Sequence, residues 1–251
     1  MILDGRVAII TGAGTGLGWA IAERFSAEGA HVVIADVKNY EESARRISSA
    51  GLNAIGIHTD VSSEDSVSAL VDEVIRRYGR IDVLVNNAAV SGELSLKPFE
   101  EITVSEWRRL MDVNLLGPFW CARAVSLHMR GQKWGRIINI CSGTAFKGSP
   151  FMLHYVSSKG GLITMTRALA KEFGEDNVLV NGIAPGYTLT ESNLANVPFA
   201  AKHREVAVES RCLKRDAFPE DIVGAAVFFA GDHSAFITGQ ILAVDGGSVY
   251  H

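Results

Sequence analysis

Short apolar runs alternate along this chain with stretches whose apolar residues recur every three or four positions. Residues 6–11, 31–36, 53–58, 81–85, 137–140, 178–183 and 240–244 are Val- and Ile-rich runs of strand length. Between them, 41–50, 63–78, 103–129, the segment through 173 and 219–230 carry helical spacing. The second of these helices shows a stripe of Val67, Leu70, Val71, Val74 and Ile75, acids at Glu64 and Asp65 near its start, and Gly79 beyond its end. Residues 103–129 read as one or two helices. Asn114 lies inside that pattern, and a poor helix former among apolar neighbours points to a buried, functional amide. Residues 187–211 show no clean period and read as a long loop that could serve as a substrate lid.

Strands alternating with helices imply parallel pairing with helices on both faces of one sheet. The first run enters Gly12-Ala13-Gly14-Thr15-Gly16-Leu17-Gly18, and Ala20, Ile21, Ala22 and Phe25 then follow at helical spacing. Glycines at such a turn let the backbone approach a pyrophosphate, and the first helical amides meet its charge. The literal GxGxxG is absent, because its third glycine would fall on Leu17 or Trp19. The second run ends in Asp36, about 20 residues beyond the turn, where an acid accepts ribose hydroxyls and repels a 2′-phosphate. Thr15 and Val37 are not basic, and Lys38 is the one nearby cation. NAD is therefore favoured over NADP. The expected architecture is α/β: a Rossmann-like, doubly wound, seven-stranded parallel sheet in a single domain, 1–251.

A second concentration of chemistry spans 136–159. The strand there ends at Cys141-Ser142-Gly143, a loop with Gly148 and Pro150 follows, and a helix then carries Tyr155 and Lys159. Residues four apart on a helix share a face, and the carboxyl end of a strand borders the ligand crevice of an open sheet. A hydroxyl, a phenol and an amine thus converge on one cleft. His154 lies about 100° around the helix from Tyr155 and is assigned to packing or solvent rather than to substrate.

Composition narrows the partners. The 251 residues are 47% hydrophobic and 21% charged, which fits a globular chain with a large core. A net charge of −4 without a Lys/Arg block argues against nucleic acid and anionic membranes. The longest apolar run, 222–230, is too short to span a bilayer, and no secretory signal is evident. Cys121, Cys141 and Cys212 have no CxxC pairing, so a reducing cytoplasm is expected. The seven His residues lack HxxxH or HExxH spacing, and no metal site is expected.

With TGAGTGLG at 11–18, Asp60, NNAA at 86–89, Asn114, Ser142, Tyr155 with Lys159, PGYTLT at 185–190 and TGQILAVDGG at 238–247, the chain resembles the short-chain dehydrogenase/reductase family over its whole length. Ala89, Gly182 and Cys141 depart from that family's usual residues, and none removes a catalytic group. The resemblance implies a catalytic set of Asn114, Ser142, Tyr155 and Lys159. It also implies dinucleotide contacts at Gly12, Thr15, Gly16, Leu17, Gly18, Asp36, Asp60, Val61, Asn87, Ala88, Pro185, Gly186, Thr188 and Thr190, with Tyr155 and Lys159 again. Ser142 would hydrogen-bond the substrate oxygen, and Lys159 the nicotinamide ribose. Asn114 would position a proton-relaying water. Asp60 would meet the adenine amine, Asn87 the adenosine ribose, and Ile183 and Thr188 the carboxamide. A phenol near its ordinary pKa of about 10 is a poor base, and two cations, Lys159 and oxidised nicotinamide, are expected to lower it.

The implied function is NAD(H)-dependent hydride transfer with a secondary alcohol or ketone as the small-molecule substrate. Alternatives are a sugar or polyol dehydrogenase of the same mechanism, a non-catalytic NAD-binding regulator, or an epimerase or dehydratase using bound NAD. Phe146, Phe151, Met152, Tyr187, Leu189 and Phe199 are candidate walls of the cleft, whereas Lys147, His154 and Glu191 keep a sugar or hydroxy acid open. The resemblance also implies a homotetramer packed through helices around 103–129 and 152–174.

Overall fold

A computed structural model describes residues 1–91, 94–195 and 197–250, with the backbone only at 192, 195 and 197–202. Seven parallel strands form one sheet: β1 Val7–Thr11, β2 His31–Asp36, β3 Ala54–His58, β4 Val83–Asn86, β5 Gly135–Ile140, β6 Val178–Pro185 and β7 Ile241–Val244. Their order is β3-β2-β1-β4-β5-β6-β7. The chain works outward from β1 to β3 and then returns to the other side of β1 for β4. This reversal leaves a crevice beyond the carboxyl ends of β1 and β4, where doubly wound sheets bind ligands.

The helices are α1 Gly16–Ala27, α2 Tyr40–Ser49, α3 Glu64–Tyr78, α4 Val104–Met111, α5 Gly117–Gln132, α6 Thr144–Lys147, α7 Leu153–Phe173, α8 Glu191–Ala195, α9 Val197–Ser210 and α10 Pro219–Ala230. Alternation along β1 divides them between the two faces. Ala8 and Ile10 join a core with Ile21 and Phe25 of α1 and Ile222 and Phe229 of α10. Val7 and Ile9 join the opposite core with Leu70 of α3, Val125 and Met129 of α5, and Phe173 of α7. Each fully buried Ile on β1 contributes roughly 1.5–3 kcal/mol, so neither face can be left uncovered.

Local chemistry sets the ends. At α3 the Ser63 side chain accepts the Ser66 N–H, and Gly79 (φ +69) closes the helix. A capping box of Thr103 and Glu106 starts α4. Two helices do fill 103–129, but they are joined by a π-helical turn, Asp112–Leu116, that contains Asn114. Such widened turns recur at functional sites. β6 runs past Ile183 to Pro185, because the proline stands at the strand end and its carbonyl still accepts the Gly143 N–H.

The expected loop at 187–211 is instead mostly helical, as α8 and α9. The polar and apolar residues of α9 form no stripe, and Val206 on it is exposed, so hydrophobic period gave no signal. Among the described residues, no helix is long and apolar enough to cross a membrane, and no His/Cys/Asp/Glu group could hold a metal ion.

Candidate active site

The cleft's floor is a backbone cradle in which a methyl group has no room. A Cβ on Gly12 (φ +63) would stand 2.6 Å from the Ala88 Cα, and one on Gly18 2.4 Å from the Asn87 Nδ2. A Cβ on Gly14 would lie 2.2 Å from the Lys38 carbonyl oxygen. The turn therefore lies directly against the ends of β4 and β2. Thr15 caps α1 without a side-chain hydrogen bond, leaving the first helical amides of Gly16, Leu17 and Gly18 for an anionic ligand. Both observations fit a dinucleotide pyrophosphate.

Asp36 braces the same turn. Its Oδ2 accepts the Gly14 N–H at 2.8 Å, and its Oδ1 accepts the Lys38 N–H at 3.0 Å. Each oxygen retains acceptor capacity for a ribose hydroxyl. Asp60 at the end of β3 accepts from Ser62 N (2.9 Å) and Ser62 Oγ (2.6 Å), and its neighbour Val61 is buried. Asn87 has a bracing role that sequence reasoning did not assign. Its Nδ2 donates to the Thr11 and Gly12 carbonyls at 3.0 and 2.9 Å, and its amide N–H donates to the Thr11 hydroxyl.

Across the cleft, Ser142 follows β5 and is nearly buried. Its Oγ accepts the Thr144 hydroxyl at 2.9 Å. Tyr155 and Lys159 come from the first two turns of α7 and do share a face, with Nζ 5.9 Å from the phenol ring centroid. Lys159 donates to the Ile140 carbonyl at 2.7 Å. Asn114 is fully buried, as its neighbours implied. Its Oδ1 accepts the Val90 N–H at 2.8 Å, and its Nδ2 donates to Ser158 Oγ at 3.3 Å. Ser158 in turn donates to the Tyr155 carbonyl at 2.8 Å. The sequence offered no reason to single out Ser158, since a Ser on a helix is ordinary.

The electrostatics bear on the protein's share of one expectation. Burial raises the Tyr155 phenol, while the hydrogen bond with Ser142 opposes the rise; the lowering expected from Lys159 does not emerge among the protein groups. Lys159 is itself desolvated, and its pKa falls to about 8. Burial also pushes the Cys141 thiol up to about 12, which keeps it inert as a small apolar residue. The departure at Gly182 has a partner here. A Cβ there would lie 3.1 Å from the Cys141 Sγ and 2.5 Å from the Ile241 Cδ1.

The remaining residues sort by position. Pro185 ends β6, Gly186 follows it, and Thr188 forms a bridge to Ala217. Thr190 reaches the glycine turn, 3.5 Å from where a Gly16 Cβ would be. His154 is buried, and burial drives its imidazole down against the pull of the Glu106 carboxylate, so it belongs to the packing around α4. Of the candidate walls, Phe146, Tyr187 and Leu189 are half-buried, Phe151 is exposed and Met152 is buried. The side chain of Phe199 lies outside the described residues.

Comparison with known proteins extends this picture. Residues 12–249 match the family model described as enoyl-(acyl carrier protein) reductase. The chain is 37% identical over 243 residues to a cis-4-hydroxycyclohexanecarboxylate dehydrogenase of Sinomonas cyclohexanicum, covering 96% of each chain. It is 34% identical to glucose 1-dehydrogenase 2 of Bacillus subtilis, over 98% of this chain and 95% of that one. Among solved structures, a candidate NAD(P)-dependent gluconate 5-dehydrogenase from Beutenbergia cavernae, with NADP bound at low occupancy, superposes with a TM-score of 0.90. That protein shares 36% identity, over 98% of this chain and 97% of its own.

Proposed function

The chain belongs to the short-chain dehydrogenase/reductase family and is an oxidoreductase of that type; from this premise we propose that it exchanges a hydride between NAD(H) and a secondary alcohol or ketone. The observation that carries the reading is the convergence of Ser142, Tyr155 and Lys159 opposite the glycine cradle. A bound nicotinamide supplies the hydride acceptor or donor. Tyr155 exchanges the proton with the alcohol oxygen, and Ser142 holds that oxygen by a hydrogen bond. Lys159, anchored to Ile140, presents its remaining N–H groups to the nicotinamide ribose. Asn114 fixes the π-helical turn against Val90 and Ser158, so that a proton path through Lys159 keeps its geometry.

In this reading the pyrophosphate rests on Gly12, Thr15, Gly16, Leu17 and Gly18. Asp36, Asn87 and Ala88 meet the adenosine ribose, Asp60 and Val61 the adenine, and Pro185, Gly186, Thr188 and Thr190 the nicotinamide end. NAD is favoured over NADP because a 2′-phosphate would face the Asp36 carboxylate. A second reading keeps the mechanism with a sugar or polyol as substrate, and the names of the Bacillus and Beutenbergia relatives favour it. The assembly proposed is a homotetramer. Exposed Leu116, Phe119 and Leu127 on and beside α5 supply an apolar face for it. A screen of secondary alcohols, polyols and hydroxy acids, followed by NADH absorbance with NAD or NADP, tests the whole reading. Absence of reduced cofactor across that panel refutes it.

A further inference from the structure

A buried arginine ties the two ends of segment 187–211 together. Arg211 is only 3% exposed. Its Nη2 donates to the Tyr187 carbonyl at 2.5 Å and its Nη1 to the Arg215 carbonyl at 2.8 Å. One acceptor stands where the chain leaves β6 for the excursion, and the other where it returns toward α10. Between the same two strands of backbone, Leu189 N–H meets the Ala217 carbonyl at 2.8 Å, and Thr188 bridges Ala217. The side chain passes over two glycines. A Cβ on Gly246 (φ +73) would stand 3.2 Å from the Arg211 Cδ, and one on Gly186 3.3 Å from Nη2.

Burying a guanidinium is costly unless its donors are satisfied, so the placement asks for a reason beyond filling space. A planar fork holds its donors rigidly toward two separated carbonyls, whereas a lysine in its place would supply one compact, rotatable ammonium. Other ties hold the excursion from outside. Lys147 donates to Ser210 and Ser248, and Arg204 forms a bidentate pair with Asp216. Neither of those ties donates to the Tyr187 carbonyl, although Arg204 lies close enough to act on the Tyr187 phenol. Arg211 does, and the residues directly after Tyr187 are Thr188, whose hydroxyl donates to the Gly186 carbonyl at 3.0 Å, and Thr190 against Gly16.

We infer that Arg211 is a positioning residue: its fork joins the backbone at Tyr187 to that at Arg215 and sets where Thr188 and Thr190 stand toward the dinucleotide. This inference rests on the dinucleotide reading above. Its test uses Arg211→Met and Arg211→Lys in the full-length chain, with Arg204→Met as the outside tie. NADH affinity is read by fluorescence titration, fold integrity by Tm, and the hold on the segment by limited thermolysin digestion within 187–211. Arg211→Met is expected to weaken NADH binding about tenfold, and Arg211→Lys less. Both should speed cleavage inside the segment and shift Tm by only a few degrees. Arg204→Met should speed cleavage while leaving NADH affinity within about twofold. If Arg211→Met does not fold, Arg211→Lys carries the test. NADH affinity within about twofold of the parent in the folded variants overturns the inference. A parent protein that binds neither NADH nor NADPH instead sinks the dinucleotide reading, and unchanged thermolysin cleavage in the Arg211 variants would then remove the clamp as well.

Discussion

The two sides of the cleft are built by different means. On the cofactor side, backbone meets backbone: Gly12 against Ala88, Gly14 against Lys38, Gly18 against Gly12 and Ala13, with no room for a methyl group. On the substrate side, side chains reach over to hold segments that do not otherwise pack closely. Arg211 grips Tyr187 and Arg215, and Lys147 holds Ser210 and Ser248. A site made of close backbone contacts tolerates few changes and keeps one shape. A site held by single side chains can be re-formed by single substitutions, which suits the half that must distinguish one substrate from another.

The sharpest break in that contrast lies at the seam, where Tyr155 serves both sides. Tyr155→Phe should lower kcat by roughly 10²–10⁴-fold, as loss of a general acid/base does, with NADH affinity retained. Stopped-flow NADH formation and a fluorescence titration separate the two effects; near-normal turnover would refute the assignment. The raised phenol also fixes a direction with pH. Protonated near neutrality, it can give a proton to a ketone, whereas it must lose that proton to accept one from an alcohol. Alcohol oxidation should therefore speed up as pH rises through the alkaline range, and ketone reduction should slow. A pH profile of kcat/KM in both directions checks this.

Next in size is a break confined to the cofactor side. Gly12→Ala forces a Cβ into a left-handed conformation and to 2.6 Å from the Ala88 Cα. Strain and overpacking together should cost about 2–4 kcal/mol of stability, with NADH binding lost alongside. Urea unfolding and an NADH titration measure both, and a variant that keeps both would show the cradle to be looser than its contacts imply. Asp36→Ala acts on preference rather than on folding. It should move the NAD/NADP ratio of kcat/KM by about tenfold toward NADP, one ribose-side interaction's worth. An unmoved ratio would leave Asp36 as a brace for Gly14 alone.

The same contrast explains what could be read from the sequence. Backbone contact demands glycine, and a buried strand demands an unbroken apolar run, so the cradle, six helical segments and all seven strands left marks within a few residues of their true ends. Tyr155 and Lys159 were legible because four-residue spacing has one geometric meaning on a helix. The helical character of α8 and α9 was not, because α9 carries no apolar stripe. Arg211 was invisible for a related reason. It interacts with carbonyl oxygens, which every residue has, so no pattern of residue types announces its partners. The upward push of burial on the Tyr155 phenol was not legible either, because burial is a property of the folded cleft.

The smallest predicted effect lies on the substrate side, at Phe151. Its φ of +65 places a bulky residue in the left-handed region, four residues before Tyr155 and on the loop that the Lys97 amide tethers. That conformation costs roughly 1–2 kcal/mol in a residue with a Cβ. Glycine would remove the strain but lose roughly 0.5–1 kcal/mol in chain entropy on folding. The ring is 56% exposed, so little burial is forfeited. The two sums nearly cancel, and Phe151→Gly should change stability by less than about 1 kcal/mol, with the sign toward stabilisation. A core Phe truncation would instead cost about 3–5 kcal/mol. Urea unfolding distinguishes these outcomes. If the two sides of the cleft are as separate as their construction suggests, the same variant shifts KM for the alcohol while NADH affinity stays within about twofold. A parallel change in both would show that the loop before α7 shapes the cofactor side as well.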